Sequence, residues 1–542
     1  MPITPTFPGI YIQEAPSSSH TVIAASTNTA VFIGYTHPLK TDPSLFGKAT
    51  EIFGFMDYQR QFGGFVRSAA FANQAYDVND ADDNVGDLAT AVNQFFLNGG
   101  LTAYIVALQV SADTSPPGAL EGATITVGGV SFVQREITDQ IYTLKVQVSP
   151  VGTTNGVADV IITYSGANSA LPSLKPPVQV ETYRQVNLTA NDPNNIATRI
   201  NAASSLVRIP TATTLPASFT ADQEPFLPLL DQNATFFNPT DFIAVLQQDT
   251  SLDKIPVINL MVLPGVTESL VISTAIAFCE RKLAFLILDP KVTDSADGSL
   301  LPAFPDLVEK TVGDPSQPRS KNAALYFPYL LSSDPVSGNT KNLVTATPYE
   351  IPPAATVAGI FAATDISRGV WKAPAGFQAG TKNTLGVVER GKMTDARQGV
   401  LNPLAVNCLR DFPNVGTIVF GSRTLDTTEQ QWTYVPVRRM ALFLEQTFYA
   451  SLKWVIFEPN DEPLWSAIRM SLNAFMLGLF KQGAFQGSTP SEAFNVQCDN
   501  QTTTQADIDA GVVNIVVSFA PLKPAEFVII TIAQLAGQTQ TS

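Results

Sequence analysis

The sequence predicts a multidomain protein of mixed α/β and α+β class: a split α/β core domain with an inserted β-rich domain, an α+β C-terminal domain, and extended terminal arms. Three observations carry this expectation. Strand-like and helix-like periods alternate in two separated stretches, 22–110 and 241–400; residues 111–240 switch to Thr-, Val- and Ser-rich alternation; and beyond 400 amphipathic helices mix with short apolar runs. A chain of 542 residues also exceeds what one hydrophobic core usually supports.

Residues 1–21 read as an arm. Pro8 to Glu14 alternates as a short strand, with Ile10 and Ile12 on one face and Tyr11 and Gln13 on the other, and a Ser-rich leash follows to Thr21. Such a strand has no sequential hairpin partner, so its backbone groups must pair with something distant or with another molecule.

The first core stretch holds TAVFIGYT as a strand, DLATAVNQFFLN as a helix capped by Gly86 or Asp87 and closed by Gly99, and LTAYIVALQV as the next strand. Strand, helix and strand imply a partly parallel sheet. Within 111–240, GATITVGGVSFVQ, YTLKVQVSP and VADVIITYSG are separated by Gly, Pro and Asn turns, the pattern of a β-rich domain.

The α/β rhythm resumes at Asp241 with DFIAVLQQ, KIPVINLMVLPG, the helix TESLVISTAIAFCERKL, and the strands AFLILDP and AALYFPYLL. Past residue 400 come the strand VGTIVFGSR, a helix from about Arg438 to Lys453, the strand WVIFE, and a helix with Asp461 as cap and Pro463 in its first turn. Trp465, Ile468, Leu472, Phe475, Met476 and Leu479 give that helix one apolar face. VVNIVVSF and FVIITIAQ, around a PLKPAE turn, read as a terminal hairpin with an edge open to a partner.

Composition excludes several function classes. The net charge of −15 disfavours a sequence-independent hold on nucleic acid, which needs clustered Lys and Arg. Only 15% of residues are charged, which suggests a surface that faces other protein. Cys279, Cys408 and Cys498 are three widely spaced residues, expected as buried thiols. The opening MPITPTFPGIYIQE lacks a basic and an apolar signal region, and no run of 18 apolar residues occurs, so cytoplasmic assembly without membrane insertion is expected.

The inventory for catalysis is thin. The only histidines, His20 and His37, fall in or just after the leash and read as solvated loop residues. There is no G-x-S-x-G elbow, and GTKNT lacks P-loop spacing, so no catalytic residue and no cofactor is expected. Asp80, Asp82 and Asn84 mimic the start of a calcium loop, but Val85 stands where its glycine belongs and Ala91 where its glutamate does; no metal is expected.

Several blocks resemble the contractile tail-sheath proteins of phages and extracellular injection particles. These are PGIYIQEAPSSSHTV with STNTAVFIGYT, YQRQFGG at Tyr58–Gly64, PPAATVAGIFAATDISRGVWKAPAG, LNPLAVNCLRDFPNVGTIVFGSRTL and WTYVPVRRMALFLEQTFYASLKWVIFEPNDEPLW. They cover about 60% of the chain and leave out 111–240. The resemblance implies a homo-oligomer of stacked six-fold rings in a helical lattice around an inner tube, with baseplate and terminal cap proteins as further partners. Contraction would drive the tube through a target envelope without nucleotide, in a virion tail or a phage-tail-like particle.

It also implies that the arms donate strands to neighbours. The donated strand would be Gly9, Ile10, Tyr11, Ile12, Gln13 and Glu14, with Val513, Ile515, Val517, Phe527 and Ile529 supplying an acceptor edge and a second donated strand. About four ladder hydrogen bonds at roughly 1 kcal/mol, plus burial of Ile10 and Ile12, bring roughly 7 to 10 kcal/mol. Ordering six residues costs about as much, so one arm is weak alone and strong in a lattice.

Residues 401–481 hold seven basic and seven acidic side chains, against −15 overall. Arg438, Arg439, Glu445, Lys453 and Arg469 are therefore the tube-facing candidates. Two other classes compete: a soluble α/β hydrolase-like enzyme with a β-rich accessory domain, which lacks every nucleophile motif, and a surface adhesin, which would need an export signal.

Overall fold

The computed structural model describes residues 21–66, 88–112, 118–138, 141–152, 156–166, 173–176, 178–211, 214–227, 229, 234–235, 237–291, 312, 314, 317–341 and 348–531. The expected arm at Pro8–Glu14, His20, the acidic run with Asp80, Asp82 and Asn84, and the helix cap at Gly86 or Asp87 lie outside them.

The chain divides into two compact units, one of residues 25–370 and 374–446 and the other of 1–24, 371–373 and 447–542. The first is organised by one eight-stranded sheet. Its strands are β1 (Thr29–Tyr35), β2 (Ala49–Ile52), β3 (Thr102–Leu108), β4 (Leu260–Val262), β5 (Phe285–Leu288), β6 (Ala323–Phe327), β7 (Val406–Phe412) and β8 (Gly416–Val419), in the spatial order β2-β3-β1-β4-β5-β6-β7-β8. The six from β3 to β7 are parallel, and β2 and β8 close the edges antiparallel.

A parallel sheet is covered on both faces, which is why its strands read as unbroken apolar runs. Every residue of β1 is buried. Val31, Ile33 and Tyr35 face a cluster with Val271, Ala275 and Cys279 of helix Ser269–Lys282, while Ala30 and Phe32 face Phe62, Phe95 and Phe361 from three other helices. The last two helices, Leu88–Leu97 and Ala354–Arg368, touch at a glycine: a Cβ on Gly359 would sit 2.5 Å from the carbonyl oxygen of Phe95. Gly99, expected to close the first of these, does so at φ 115°.

Strands from both sides of 111–240 thus share one sheet, while that stretch forms sheets of its own. Val178–Asn187, Val157–Gly166, Tyr142–Pro150 and Asp222–Pro225 make a four-stranded antiparallel sheet in that order. Its inner face packs Leu144, Val146, Val160, Ile162 and Tyr164 into a separate hydrophobic cluster. The outgoing and returning chain pair at the neck, Ser111–Ala112 against Ala234–Thr235.

Three expectations are corrected here. The boundary expected at residue 400 falls after 446, because β7 and β8 extend the core sheet: Leu325 pairs with Val406 and Phe327 with Cys408. WVIFE is not a strand; Lys453–Val455 is a 3-10 turn that ends the preceding helix, Val435–Ser451. His37 is not solvated, for it is fully buried with its Nε2 3.2 Å from Glu136.

In the second unit, helix Glu462–Lys481 begins where expected, with Asp461 accepting from the backbone N–H of Leu464 at 3.4 Å. Trp465, Ile468, Leu472, Met476 and Leu479 are buried, and Phe475 is half-buried against Phe448. The three thiols are all buried.

Candidate functional site

The second unit carries a two-stranded antiparallel sheet that closes on neither side. Phe494–Gln497 pairs with Val516–Phe519 in the register Phe494 to Phe519 and Gln497 to Val516, and among the described residues neither has another strand beside it. The VVNIVVSF segment therefore pairs upstream, and among the described residues the hairpin expected with FVIITIAQ is not seen: residues 522–531 follow a bridge between Phe485 and Pro521 and belong to no described strand.

The physical reason is geometric. PLKPAE carries two prolines, Pro521 and Pro524, which donate no backbone hydrogen bond and hold the chain extended instead of turning it back. Phe485 anchors the base of the sheet, its ring centroid 6.1 Å from that of Phe494 and 6.0 Å from that of Phe519. Val513, Ile515 and Val517 are half-buried.

Beyond the prolines, Phe527, Val528, Ile529 and Ile530 are 71%, 80%, 91% and 80% exposed. Four consecutive large apolar residues held in solvent are costly for a solitary molecule, and a two-stranded sheet is marginal without a third strand. An open ladder edge and an exposed apolar segment are the two halves of strand addition.

Residues 427–534, which hold all of these elements, match the phage tail sheath C-terminal domain family. Over that segment the chain is similar to phage tail sheath proteins.

The tail sheath protein of Vibrio phage KVP40 is 27% identical over 179 residues, which is 32% of this chain and 25% of that protein. The matched stretch therefore spans only about a quarter of that curated relative. The fold extends further than the sequence match. The helical sheath of the anti-feeding prophage in its contracted state aligns over 98% of this chain and 100% of its own, with TM-score 0.56 and 21% identity. A sheath tail protein of Desulfitobacterium hafniense aligns over 95% of this chain and 100% of its own, with TM-score 0.55 and 14% identity.

The expected tube-facing residues separate by burial. Arg439 is buried, donating from Nη1 and Nη2 to the two carboxyl oxygens of Asp365 at 2.8 and 2.6 Å and from Nη2 to the carbonyl of Thr27 at 3.0 Å. Burial pushes the Asp365 carboxyl up, against the pull of Arg439. Arg438 is buried too, with Nε donating to Asn322 at 2.7 Å and its guanidinium 5.1 Å from the Trp432 ring. Both guanidinium groups are thus largely occupied inside the subunit, Arg439 by Asp365 and Arg438 by Asn322, with the Arg438 Nη1 3.4 Å from the part-exposed Glu445.

Arg469 is half-buried and tied to Glu462 and to the carbonyl of Cys498. Glu445 has 42% of its side chain exposed, and Lys453 is exposed over the ring of Tyr449.

Sequence reasoning missed the apolar knuckle at Ile456 and Phe457. Ile456 is 62% exposed, and Phe457 is fully exposed at φ 73°, a left-handed conformation costly for a bulky residue. Its signal was present in WVIFE, but an apolar run reads as a strand in the sequence whether the fold covers it or leaves it bare.

In a doubly wound sheet, ligands gather at the carboxyl ends of the strands. A cavity of about 60 Å³ lies there, lined by Thr267, Leu288, Asp289 and Arg319 among others. The carboxylate in its wall serves the fold, for Asp289 accepts from the backbone N–H of Gly265 at 2.9 Å and of Ala354, at the start of helix Ala354–Arg368, at 2.7 Å. Burial pushes it up to about 7, against those two hydrogen bonds. Among the described residues no group of three His, Cys, Asp or Glu side chains could hold a metal ion, and no helix is long and apolar enough to cross a membrane.

Proposed function

We propose that this chain is the structural subunit of a contractile sheath, polymerising with itself as stacked six-fold rings around an inner tube and contracting to drive that tube through a target envelope. The observation that carries this reading is the pairing of an open two-stranded sheet with the exposed run Phe527–Ile530, inside the segment that matches the sheath C-terminal family. Each subunit would donate what its neighbour lacks.

The split core and the inserted domain at 111–240 belong to the same reading, supported by strands before and after that stretch sharing one sheet. The N-terminal strand Gly9–Glu14 is assigned as a donor, and Phe527–Ile530 as the C-terminal donor, to the free edges of Phe494–Gln497 and Val516–Phe519. Lys453 and the knuckle at Ile456 and Phe457, on the second unit, are the candidate contacts for tube or neighbour, and Glu445 on the first unit is a separate one. Baseplate and terminal cap proteins are assigned as partners at the ends of the polymer, after assembly in the bacterial cytoplasm. The subunit acts by geometry: stored lattice strain, not catalysis, powers contraction.

Purified chain examined by negative-stain electron microscopy tests this directly, hollow tubes or stacked rings being the expected result. Deleting residues 1–20 should leave a folded monomer that forms neither.

A further inference from the structure

The β-rich stretch 111–240 carries its own hydrophobic cluster and leaves the core through a neck of two-residue strands, Ser111–Ala112 against Ala234–Thr235. A lobe with its own core on a slender neck needs further contacts to hold one orientation. A small apolar cluster supplies some, Leu120, Ile137 and Leu229 packing with Leu39 and Val66. Lys175 and Asn339 add two polar links, the Asn339 Nδ2 donating to the Lys175 carbonyl at 2.9 Å and the Lys175 N–H to the Asn339 Oδ1 at 3.4 Å.

A further contact among the described residues is ionic and buried. His37 and Lys40 lie in the core loop that follows β1, and Glu136 lies on the lobe, where Arg135 bonds to the backbone of Leu206 and Thr138 to that of Leu227. Glu136 receives Lys40 on Oε1 and the His37 Nε2 on Oε2, the latter at 3.2 Å. His37 and Glu136 are 0% and 1% exposed.

The tautomer follows from the backbone. Leu39 donates its N–H to the His37 Nδ1 at 3.2 Å, so Nδ1 is an acceptor and the proton sits on Nε2, facing Glu136. The seated cluster is thus one cation, one anion and a neutral imidazole.

Adding a proton to His37 must place it on Nδ1. That sets an N–H against the N–H of Leu39 and puts a second cation beside a carboxylate that Lys40 already engages. The charged groups facing the ring are Glu136, Lys40 and Arg135, two of the three positive.

We propose that the His37–Lys40–Glu136 cluster is an acid-released latch that seats the 111–240 lobe on the core. Neutral His37 holds the lobe; protonation frees it to turn on its neck while both hydrophobic cores stay intact. Burial lowers the imidazole below its ordinary value, with Glu136 opposing, so release belongs to the range below pH 6.5. Against its burial, Lys40 holds the Glu136 carboxyl low, so it stays ionised throughout that range.

Hydrogen exchange of the full-length protein between about pH 7.5 and about pH 4.5, corrected for intrinsic rates, reads the latch. Amides at 118–120, 134–138, 227 and 229 should lose protection by about tenfold or more on acidification, while β1, β4 and β5 keep theirs. His37→Gln, which cannot take the proton, should abolish that pH dependence, and Glu136→Gln should release the lobe at both pH values. Protection at the root that is unchanged with pH in the native chain, or a pH dependence that survives in H37Q, would overturn the proposal. The native measurement decides even if a variant does not fold.

Discussion

Replacing Phe527 and Ile529 with aspartate separates assembly from folding. Both side chains are solvent-exposed in the subunit, at 71% and 91%, so the double variant should change subunit stability by no more than about 0.5 kcal/mol. If the segment adds as a strand to a neighbour, each side chain gains about 1.5 to 3 kcal/mol from burial, or about 3 to 6 per contact. At about 1.4 kcal/mol per decade, the critical concentration for polymerisation should rise roughly 100- to 10,000-fold. Sedimentation velocity across a concentration series measures that shift, and differential scanning calorimetry of the monomer supplies the control. Unchanged polymerisation would refute the strand-addition argument. So would a fall in the monomer midpoint of more than a few degrees, which would mean that the segment packs within its own chain.

Other expectations follow from the same contacts. Ile10→Asp with Ile12→Asp should block tube formation in electron micrographs while leaving the thermal midpoint of the subunit in place. Arg439→Met leaves Asp365 buried without its partner and should cost about 3 to 5 kcal/mol by denaturant unfolding, whereas Lys453→Met at an exposed site should cost under about 0.5. With Asp289 raised to about 7 in the folded state, the folded chain holds a proton that the unfolded chain gives up near 3.8. This contribution is full below about pH 4 and lost as pH rises through 7; Asp289→Asn should flatten that part of the stability profile by a few kcal/mol.

How much of this was legible depends on where each residue finds its partners. TAVFIGYT could be read as a strand because a doubly covered strand shows no polar alternation, and the helix at Asp461 because its cap and apolar face are local. Gly99 was readable for the same reason. His37 was not: its carboxylate partner is 99 positions away, across the neck of the lobe, and nothing in its neighbours marks it as buried. Arg438 and Arg439 looked like surface charge at a helix start, yet Asn322 and Asp365 take both inside.

The exposed apolar run at 527–530 was legible as an apolar segment but not as a bare one. A sequence pattern reports a side chain's preference for burial, not which molecule provides it. Where burial comes from the same chain, periodicity locates a core; where it comes from another copy, the pattern looks identical and only the folded subunit shows the surface left open.

If this chain completes its own sheets by polymerising, the completed sheet must be visible in the polymer. Electron microscopy of the purified full-length protein, followed by helical reconstruction, looks for it. The expected particles are hollow six-fold tubes in which residues 527–530 of each subunit extend the Phe494–Gln497 and Val516–Phe519 sheet of a neighbour. A chain that stays monomeric at every concentration, or tubes in which that segment folds back on its own subunit, would show that the sheet is not completed in this way.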